Sequence, residues 1–533
     1  MKNAGALTIT SGVLFALATA GQVVGPSYYP ANRPPDDKLT VQGKEVPVRE
    51  YTKEEARGRD LYVREGCASC HTQSVRAHTA DELRWGPPAQ PAEYSRDSHP
   101  LLGTRRIGPD LSRVGGRVED GWHLAHLFDP RLVVPDSVMP AYPWLFRSVR
   151  IKADVMGDKI QFGVIPDAAD ALFEKKGDEK SVVEADEFGR AFLKTADGRP
   201  ALKVVGTPEL KLLGDPKGFT AKEVTVIAPT EDALALVAYL QRLGTDLGDW
   251  QEEHREVHGG SGATATATSL ALGQVTYERR CAGCHGVRGD GRGAVRTFLR
   301  TPPRDFTALD PESGGPIRPT FKYGSVKAGQ LPTDADLHRT VTRGLRDTGM
   351  PSFASMPERD RWAVIQYVKS FTPWFAEWKL RTGKDWKGEP QPPAEPVSAD
   401  PFIEEGEAGV KQAVALGAEV YHGLATCWTC HRAYATEDQV KDFLAKFTKP
   451  PSWRPDADKK SEPKEDKFGQ MTMPTDFLQD PLKSGASLEN LYRVIGMGIA
   501  GTAMPTWKGQ LEEEQLWAMA YYVRSLRDRE EKK

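Results

Sequence analysis

Three short segments of this 533-residue sequence carry the residues that could do chemistry. In residues 67–71, 281–285 and 427–431, two cysteines stand three positions apart and a histidine follows at once. Thiols at this spacing can add to the two vinyl groups of one porphyrin, and the adjacent imidazole can bind the iron. The pattern predicts three covalently bound c-type haems. Their attachment residues are Cys67, Cys70, Cys281, Cys284, Cys427 and Cys430, and their histidine ligands are His71, His285 and His431.

Structural zinc, disulfides and a redox dithiol are the alternative uses of such cysteine pairs. Zinc sites usually combine thiolate and imidazole ligands from neighbouring pairs, whereas these three pairs are far apart and no second histidine follows any of them closely. A thioredoxin-like dithiol needs a βαβ setting, which the flanking sequences do not show. The spacing therefore favours haem over all three alternatives.

A methionine followed by proline recurs after each motif and offers a further iron ligand. Met139, Met350 and Met504 lie 65 to 73 residues after the motif histidines, each in a Ser/Thr-x-Met-Pro segment. A thioether is a soft, neutral ligand that raises the reduction potential of a haem. Methionine also fills apolar cores, but the repeated position favours ligation. The neighbouring methionines without this context are Met356, Met471, Met473 and Met497.

A larger repeat surrounds each motif. A glycine and a tyrosine four residues apart precede the first cysteine, and an amphipathic segment with a tyrosine follows the methionine. At helical spacing the glycine lets a second helix cross closely, with aromatic rings packed at the crossing. The pairs are Gly58 with Tyr62, Gly273 with Tyr277 and Gly417 with Tyr421, and the later tyrosines are Tyr239, Tyr367 and Tyr522. This arrangement resembles the terminal-helix contact of class I cytochromes c and implies a mainly α fold with three such domains.

Prolines between histidine and methionine resemble the cytochrome c loop whose carbonyl accepts a hydrogen bond from the ligand histidine. Pro109 occupies this place in the first repeat, Pro302 or Pro303 in the second and Pro474 in the third. Such a bond would fix the orientation of the imidazole.

The N-terminal segment carries the clear membrane signal. Residues 3–32 contain no charge, and residues 6–24 form an apolar run about as long as a bilayer-spanning helix. With Lys2 before the run, we expect a single-pass anchor in a bacterial inner membrane, a cytoplasmic N-terminus and periplasmic haem domains. A cleaved signal peptide is the alternative, because residues 18–20 (Ala-Thr-Ala) could serve as its cleavage site.

Composition suggests the domain boundaries. The expected parts are an anchor (1–28), a first cytochrome domain (29–250), a flexible linker (251–269), a second domain (270–380), a Pro-rich spacer (381–404) and a third domain (405–533). Linker and spacer predict tethered domains that sample several orientations. Alternating β-branched residues and turn signals predict a small β-rich insertion at about 149–228. The 71 basic and 74 acidic residues nearly cancel, which argues against a nucleic-acid partner.

The first part of the chain resembles one particular family. The motifs are Arg-Glu-Gly-Cys (64–67), Gly-Pro-Asp-Leu-Ser-Arg-Val-Gly-Gly-Arg (108–117), Trp-His-Leu-Ala-His-Leu-Phe-Asp-Pro-Arg (122–131), Val-Pro-Asp-Ser-Val-Met-Pro-Ala-Tyr-Pro-Trp-Leu (134–145) and Leu-Val-Ala-Tyr-Leu (236–240). Together they resemble the FixO-type, membrane-anchored cytochrome c subunit of cbb3-type oxidases, over residues 1–150 and 231–245. The two later domains resemble class I cytochromes c in general.

This resemblance implies electron transfer as the function. His71 and Met139 would be the axial pair, and electrons would pass from a soluble cytochrome c or cupredoxin to the catalytic subunit of a haem–copper oxidase. In related oxidases a separate membrane subunit supplies two periplasmic c haems, so a fusion carrying all three is expected, without catalytic residues of its own. The alternatives are an anchored shuttle for another respiratory reductase, such as one for nitrogen oxides, and a multihaem peroxidase, which needs an iron with an open site.

Overall fold

The computed structural model describes most of the chain, and three regions are named here after the order of their Cys-x-x-Cys-His motifs. Region 1 is residues 37–247, region 2 is residues 265–386 and region 3 is residues 403–530. The described residues are 4–19, 37–41, 43–97, 99–103, 105–156, 159–164, 182–185, 190–194, 209–212, 223–247, 265–309, 313–317, 324–386, 388–445, 451–467, 471–478 and 480–530.

The N-terminal helix α1 covers Ala4–Thr19 and is 16 residues long. The apolar side chains described in this helix, from Ile9 to Leu17, are exposed, and that of Phe15 is 76% exposed. Residues 20–24 of the predicted apolar run, including Ala20 of the alternative cleavage site, lie outside the described residues. Among the described helices, none combines the length and apolar character that a bilayer crossing requires.

Region 1 combines helices around the first motif with a sheet inserted before its last helix. Its helices and strands are β1 (Lys38–Val41), β2 (Lys44–Pro47), α2 (Lys53–Arg64), α3 (Thr79–Trp85), α4 (Asp120–Phe128), α5 (Pro130–Val133), β3 (Phe146–Met156), β4 (Lys159–Val164), β5 (Val182–Ala185), β6 (Arg190–Lys194), β7 (Glu209–Leu212), β8 (Glu223–Pro229) and α6 (Glu231–Arg242).

The predicted β-rich insertion is confirmed as a six-stranded sheet of order β4-β3-β8-β6-β5-β7. Strand β3 pairs antiparallel with both β4 and β8, and Phe146 lies opposite Pro229. Strand β8 continues directly into α6, so the sheet returns the chain to the last helix of region 1. The side chains of Ala191, Phe192 and Leu193 on β6 are buried.

Regions 2 and 3 repeat the helical plan with short loops in place of the sheet. Region 2 contains α7 (Ala267–Arg280), α8 (Ala282–His285), α9 (Asp334–Arg343), α10 (Glu358–Lys369) and α11 (Glu377–Thr382). Region 3 contains α12 (Gly406–Glu419), a π-helical turn (Val420–Leu424), α13 (Glu437–Leu444), β9 (Lys464–Glu465), β10 (Met471–Thr472), α14 (Leu488–Met497) and α15 (Glu513–Glu530).

Threonine and serine hydroxyls start many of these helices, as the sequence pattern allows. The hydroxyls of Thr52, Thr333 and Thr436 each accept a hydrogen bond from the backbone N–H three residues later. The side chain of that later residue in turn accepts a bond from the backbone N–H of the threonine. These reciprocal bonds satisfy N–H groups that the first helical turn leaves without a partner.

The first and last helices of each region cross at the predicted glycines. A Cβ atom on Gly58, Gly273 or Gly417 would overlap the carbonyl oxygen of the opposite helix, at Ala235, Ala363 and Ala518 respectively. Tyrosine rings pack beside each crossing, with centroids 5.6 Å apart for Tyr62–Tyr239, 5.5 Å for Tyr277–Tyr367 and 5.4 Å for Tyr421–Tyr522. The predicted helix contact is confirmed three times.

The expectation that regions 2 and 3 sample independent orientations is wrong for the described structure. Phe298 of region 2 packs against Phe128 of region 1, with ring centroids 5.8 Å apart. The Ala328 N–H of region 2 donates to the Met497 carbonyl of region 3 at 2.9 Å. Burial of apolar surface between regions opposes free rotation. The predicted linker lies largely outside the described residues, because 251–264 are among those not described.

The Pro-rich spacer also binds both of its neighbours. The Glu395 N–H donates to the Ser325 carbonyl of region 2 at 2.7 Å. The Ser398 hydroxyl donates to Glu513 of region 3 at 2.8 Å, and Lys508 donates to the Pro396 carbonyl at 3.2 Å. The spacer therefore connects regions 2 and 3 through hydrogen bonds to both of them.

The helix crossing in region 3 can be tested by adding one methyl group. Gly417→Ala is expected to lower the free energy of unfolding of region 3 by about 1–3 kcal/mol, because the new Cβ must displace a helix backbone. Gly496→Ala on α14 is the control, since its Cβ would meet only side-chain atoms at 3.8 Å or more. Denaturant unfolding of the full chain checks the difference, and equal effects of the two variants would contradict the crossing.

Candidate functional site: three Cys-x-x-Cys-His motifs and their methionine turns

The three motifs adopt tight turns that follow the first helix of their region and share two backbone hydrogen bonds. The N–H of each second cysteine donates to the carbonyl of the first at 3.1 Å, and each histidine N–H donates to that same carbonyl at 2.9–3.0 Å. All six cysteines are free of disulfides. Burial raises the pKa of the Cys67 thiol to about 11 and that of Cys281, Cys284 and Cys427 to about 12. Buried, protonated thiols are unlike the thiolates of a redox dithiol.

Each motif histidine is oriented by a backbone carbonyl. The Nδ1 atom of His71 lies 2.8 Å from the Pro109 carbonyl oxygen, as predicted. In the other two regions the predicted proline is wrong, because His285 pairs with the Arg304 carbonyl at 3.2 Å and His431 with the Thr475 carbonyl at 3.0 Å. The acceptor there is the residue after the proline, since the local turn decides which carbonyl faces the ring.

This orientation leaves Nε2 of each ring as the atom that can bind a metal. A carbonyl can only accept, so Nδ1 carries the proton and Nε2 keeps its lone pair. Burial lowers the pKa of His71, His285 and His431, which keeps the rings neutral. Neutral imidazole with a fixed second nitrogen is the form that binds iron.

Close packing fixes the plane of each ring. Phe306 stacks on His285 with centroids 4.9 Å apart, and Phe477 stacks on His431 at 4.8 Å. In region 1 a glycine does this work, because a Cβ on Gly108 would overlap the His71 ring. Phe306 and Phe477 therefore pack against the motif histidines of regions 2 and 3, as Gly108 does in region 1.

The three predicted methionines lie in matching turns. Ser137, Thr348 and Thr502 accept hydrogen bonds from the N–H groups of Met139, Met350 and Met504 at 3.2, 3.1 and 3.1 Å. In regions 2 and 3 the threonine hydroxyl also donates to a carbonyl three residues earlier, at 2.7 and 2.8 Å. The Ser/Thr-x-Met-Pro segments are thus one local structure used three times.

The second site surrounds a largely apolar cavity that is open to solvent. Cys281, Cys284, His285 and Met350 all line it, together with apolar side chains such as Val364. Large apolar pockets with a few polar groups are the usual form of cofactor sites. The structure therefore brings together the residues that the sequence predicted for one haem. Met356 lines the same cavity without the hydroxyl-capped turn.

Two histidines on α4 flank the first site. His123 is buried and His126 is partly buried, and desolvation lowers the pKa of each to about 4, so both rings are neutral. His126 stacks on Trp122 with centroids 4.9 Å apart. The Trp122 Nε1, His123 Nε2 and His126 Nδ1 atoms are buried without a hydrogen-bond partner in the described structure. Orphaned polar atoms of this kind indicate a group that completes the site.

Glu119 is a site residue that the sequence did not reveal. It precedes α4, is buried, and its carboxylate accepts hydrogen bonds from the backbone N–H groups of Arg300 at 2.9 Å and Thr301 at 3.3 Å. Burial raises the pKa of Glu119 to about 7, while the charge of Arg300 acts in the opposite direction. A glutamate before a helix is a common surface residue, so no signal marked it.

Lys483 was also missed, because it belongs to region 3 but lines the cavity of the second site. Burial lowers the pKa of Lys483, and the nearby Arg300 lowers it further. Arg300 forms an ion pair with Asp347 two residues before Gly349. Charges from all three regions thus converge beside the second site.

The fold, with its repeated Cys-x-x-Cys-His turns and methionine turns, defines a c-type cytochrome with several class I regions. Residues 35–247 match the family model of the cytochrome c oxidase mono-haem subunit, FixO. Residues 268–368 and 412–523 match the model of cbb3-type cytochrome c oxidase subunit III. The predicted FixO resemblance is confirmed, and the later regions, expected to be general class I cytochromes, are similar to a subunit of the same oxidase type. Such cytochrome c regions bind haem c covalently.

Other comparisons add little to this assignment. A chain of the Kuenenia stuttgartiensis reducing HAO-like protein complex is 27% identical, covers 48% of this chain and 95% of its own length, and has a TM-score of 0.36. No significant relative was found among curated proteins.

The buried glutamate predicts a specific pH dependence. With a pKa of about 7 in the folded protein and an ordinary value of 4.5, Glu119 holds a proton that the unfolded chain releases. The free energy of unfolding should therefore fall as the pH rises from about 4.5 to about 7, by at most about 3 kcal/mol at 1.36 kcal/mol per unit. Glu119→Gln cannot ionise and should remove this fall.

Denaturant unfolding of the full chain at about pH 5 and about pH 8 measures the effect. Asp120→Asn, a change at the exposed neighbouring carboxylate, is the control and should keep the wild-type pH dependence. The same pH dependence in Glu119→Gln as in the wild type would refute the role of this carboxyl.

Proposed function

We propose that this chain is a membrane-anchored, trihaem c-type cytochrome that passes electrons from periplasmic donors to the catalytic subunit of a cbb3-type haem–copper oxidase. The observation that carries the proposal is the union of a FixO region and two subunit III regions in one polypeptide. Those family names belong to subunits of one oxidase type. A soluble cytochrome c or cupredoxin would be the donor.

Three equivalent sites support the count of three haems. Each region offers two cysteines in the same turn, a histidine with a fixed Nδ1 proton and a hydroxyl-capped methionine. The cysteines would form thioether bonds to the porphyrin, and the axial pairs would be His71 with Met139, His285 with Met350 and His431 with Met504. Bound haem c supplies one-electron exchange at its iron.

The protein residues provide orientation, exclusion of water and charge. The carbonyl partners fix the imidazoles, and the stacked Phe306 and Phe477 shield them from solvent. Trp122, His123 and His126 would hydrogen-bond the propionates of the first haem, because one buried ring nitrogen of each has no partner in the described part of the chain. Lys483 would favour the reduced second haem, since a nearby cation stabilises the form with less positive charge.

The anchor and its orientation belong to the same proposal. Helix α1 is apolar along its length, and Lys2 precedes it. An uncleaved helix extending beyond Thr19 would hold region 1 at the outer face of a bacterial inner membrane, with the N-terminus in the cytoplasm. Region 1 would then lie beside the oxidase, as the FixO resemblance implies.

The methionine ligands can be tested one at a time. Met350→Ala is expected to remove one equivalent of the weak thioether-to-iron absorption of the oxidised protein and to lower one reduction potential, because a soft ligand favours ferrous iron. Met504→Ala should do the same at the third site. Met356→Ala is the control, since it changes the same cavity outside the capped turn. Loss of the band in Met356→Ala, with Met350→Ala unchanged, would reassign the ligand.

The partner can be identified by extracting the full chain in mild detergent. The expected result is co-purification with a haem–copper catalytic subunit, and oxygen uptake by the complex when reduced cytochrome c is supplied. Co-purification with a reductase for nitrogen oxides would overturn the oxidase assignment. A carbon monoxide-reactive, high-spin haem with peroxidase activity in the isolated chain would instead support the enzyme alternative.

A further inference from the structure

The second haem motif touches region 1 through its own backbone. Gly283 lies between the two cysteines of this motif, and a Cβ at that position would overlap the carbonyl oxygen of Leu132 on α5. Helix α5 belongs to region 1, so the attachment turn of the second haem is itself part of the boundary between the regions.

The other two motifs show that this glycine is not required for haem attachment. The residue at the same place is Ser69 in the first motif and Thr429 in the third. The three turns share two hydrogen bonds to the carbonyl of the first cysteine, and the bond from the second cysteine is 3.1 Å long from N to O in each. A side chain at this position is therefore compatible with the turn. The glycine is required by the close contact with region 1 instead.

A second glycine makes the reciprocal approach. A Cβ on Gly121 of α4, in region 1, would overlap the carbonyl oxygen of Phe298 in region 2. The Phe298 ring enters the core of region 1, where it meets Phe128 and Phe192. Two glycines on opposite sides thus allow backbone-to-backbone contact.

One apolar core connects the two haem sites across this contact. Phe298 and Leu299 of region 2 belong to the same buried cluster as the core of region 1. Cys67 and Met139 of the first site pack against this cluster, and so does Cys284 of the second site. A close-packed interior of this kind leaves little room for water between the sites.

Polar contacts close the edge of the junction. Lys194 of the inserted sheet donates to the Leu299 carbonyl at 2.6 Å. The Glu119 N–H donates to the Thr348 carbonyl at 3.1 Å, and the Glu119 carboxylate accepts from Arg300 and Thr301. The inserted sheet of region 1 therefore has a structural use, because β6 holds region 2 in place.

We propose that this junction is the internal electron-exchange contact between the first and second haem sites, and that Gly283 and Gly121 are positioning residues that set its spacing. The inference rests on the proposed electron-transfer function. With haem bound at both sites, the exchange would move one electron between the two irons, with no bond made or broken and no proton required. The rate of such exchange falls steeply as the gap between the two haems lengthens or admits water. The two glycines therefore serve the function because they keep this gap short.

The test uses the purified full chain with its haems. Gly283→Ser copies the residue of the first motif, and Gly121→Ala adds one methyl group on the other side of the junction, outside any attachment motif. Exchange between haems after rapid photoreduction and the magnetic interaction of the ferric irons in electron paramagnetic resonance are the two readouts. Gly315→Ser, at an open position of region 2 where a Cβ meets only Ser313 Oγ at 3.6 Å, is the control.

Both junction variants are expected to slow the exchange several-fold and to weaken the magnetic interaction, while the control behaves as wild type. Unchanged exchange and unchanged magnetic interaction in a Gly283→Ser protein with three attached haems would overturn the proposal. If Gly283→Ser loses the second haem, the proposal is tested with Gly121→Ala instead. Unchanged exchange and unchanged magnetic interaction in that variant would overturn it. Slowed exchange in a chain that does not bind an oxidase would leave this inference standing while the proposed partner fails.

Discussion

The crossing of the first and last helices at a glycine is the constraint on which each region depends. Because Gly58, Gly273 and Gly417 carry no side chain, the opposite helix brings its carbonyl oxygen into the space of a Cβ atom. The haem motif follows the first helix of each crossing, and the last helix packs against the hydrophobic core of the same region. This single contact therefore sets the cysteine turn against the core that must enclose a porphyrin.

The sites use the same chemistry with different local solutions. A carbonyl orients each motif histidine, yet it comes from Pro109, Arg304 or Thr475. A ring or a glycine packs against the imidazole, and a serine or threonine caps each methionine. What is repeated is the hydrogen-bond geometry that a neutral, metal-binding imidazole requires, since several residue types can supply it.

Contact between regions turns three cytochrome units into one molecule. The surroundings of the second site receive Glu119 from region 1 and Lys483 from region 3. Glycines also draw the second attachment turn onto region 1. The second region is therefore the middle of the assembly in space as well as in sequence, and its properties depend on neighbours that a separate domain would lack.

The sequence by itself determined the three haem motifs, the methionine turns, the helix crossings and the inserted sheet. These follow from local spacing, because covalent attachment, helical periodicity and strand alternation all act over a few residues. Only the tertiary structure decided which carbonyls face His285 and His431, and that the Pro-rich spacer is hydrogen-bonded to the regions on both sides of it. It alone brought Glu119, Lys483 and Gly283 to the boundaries of the second site. Contacts between residues more than a hundred positions apart depend on packing between regions, for which these side chains carry no local signal.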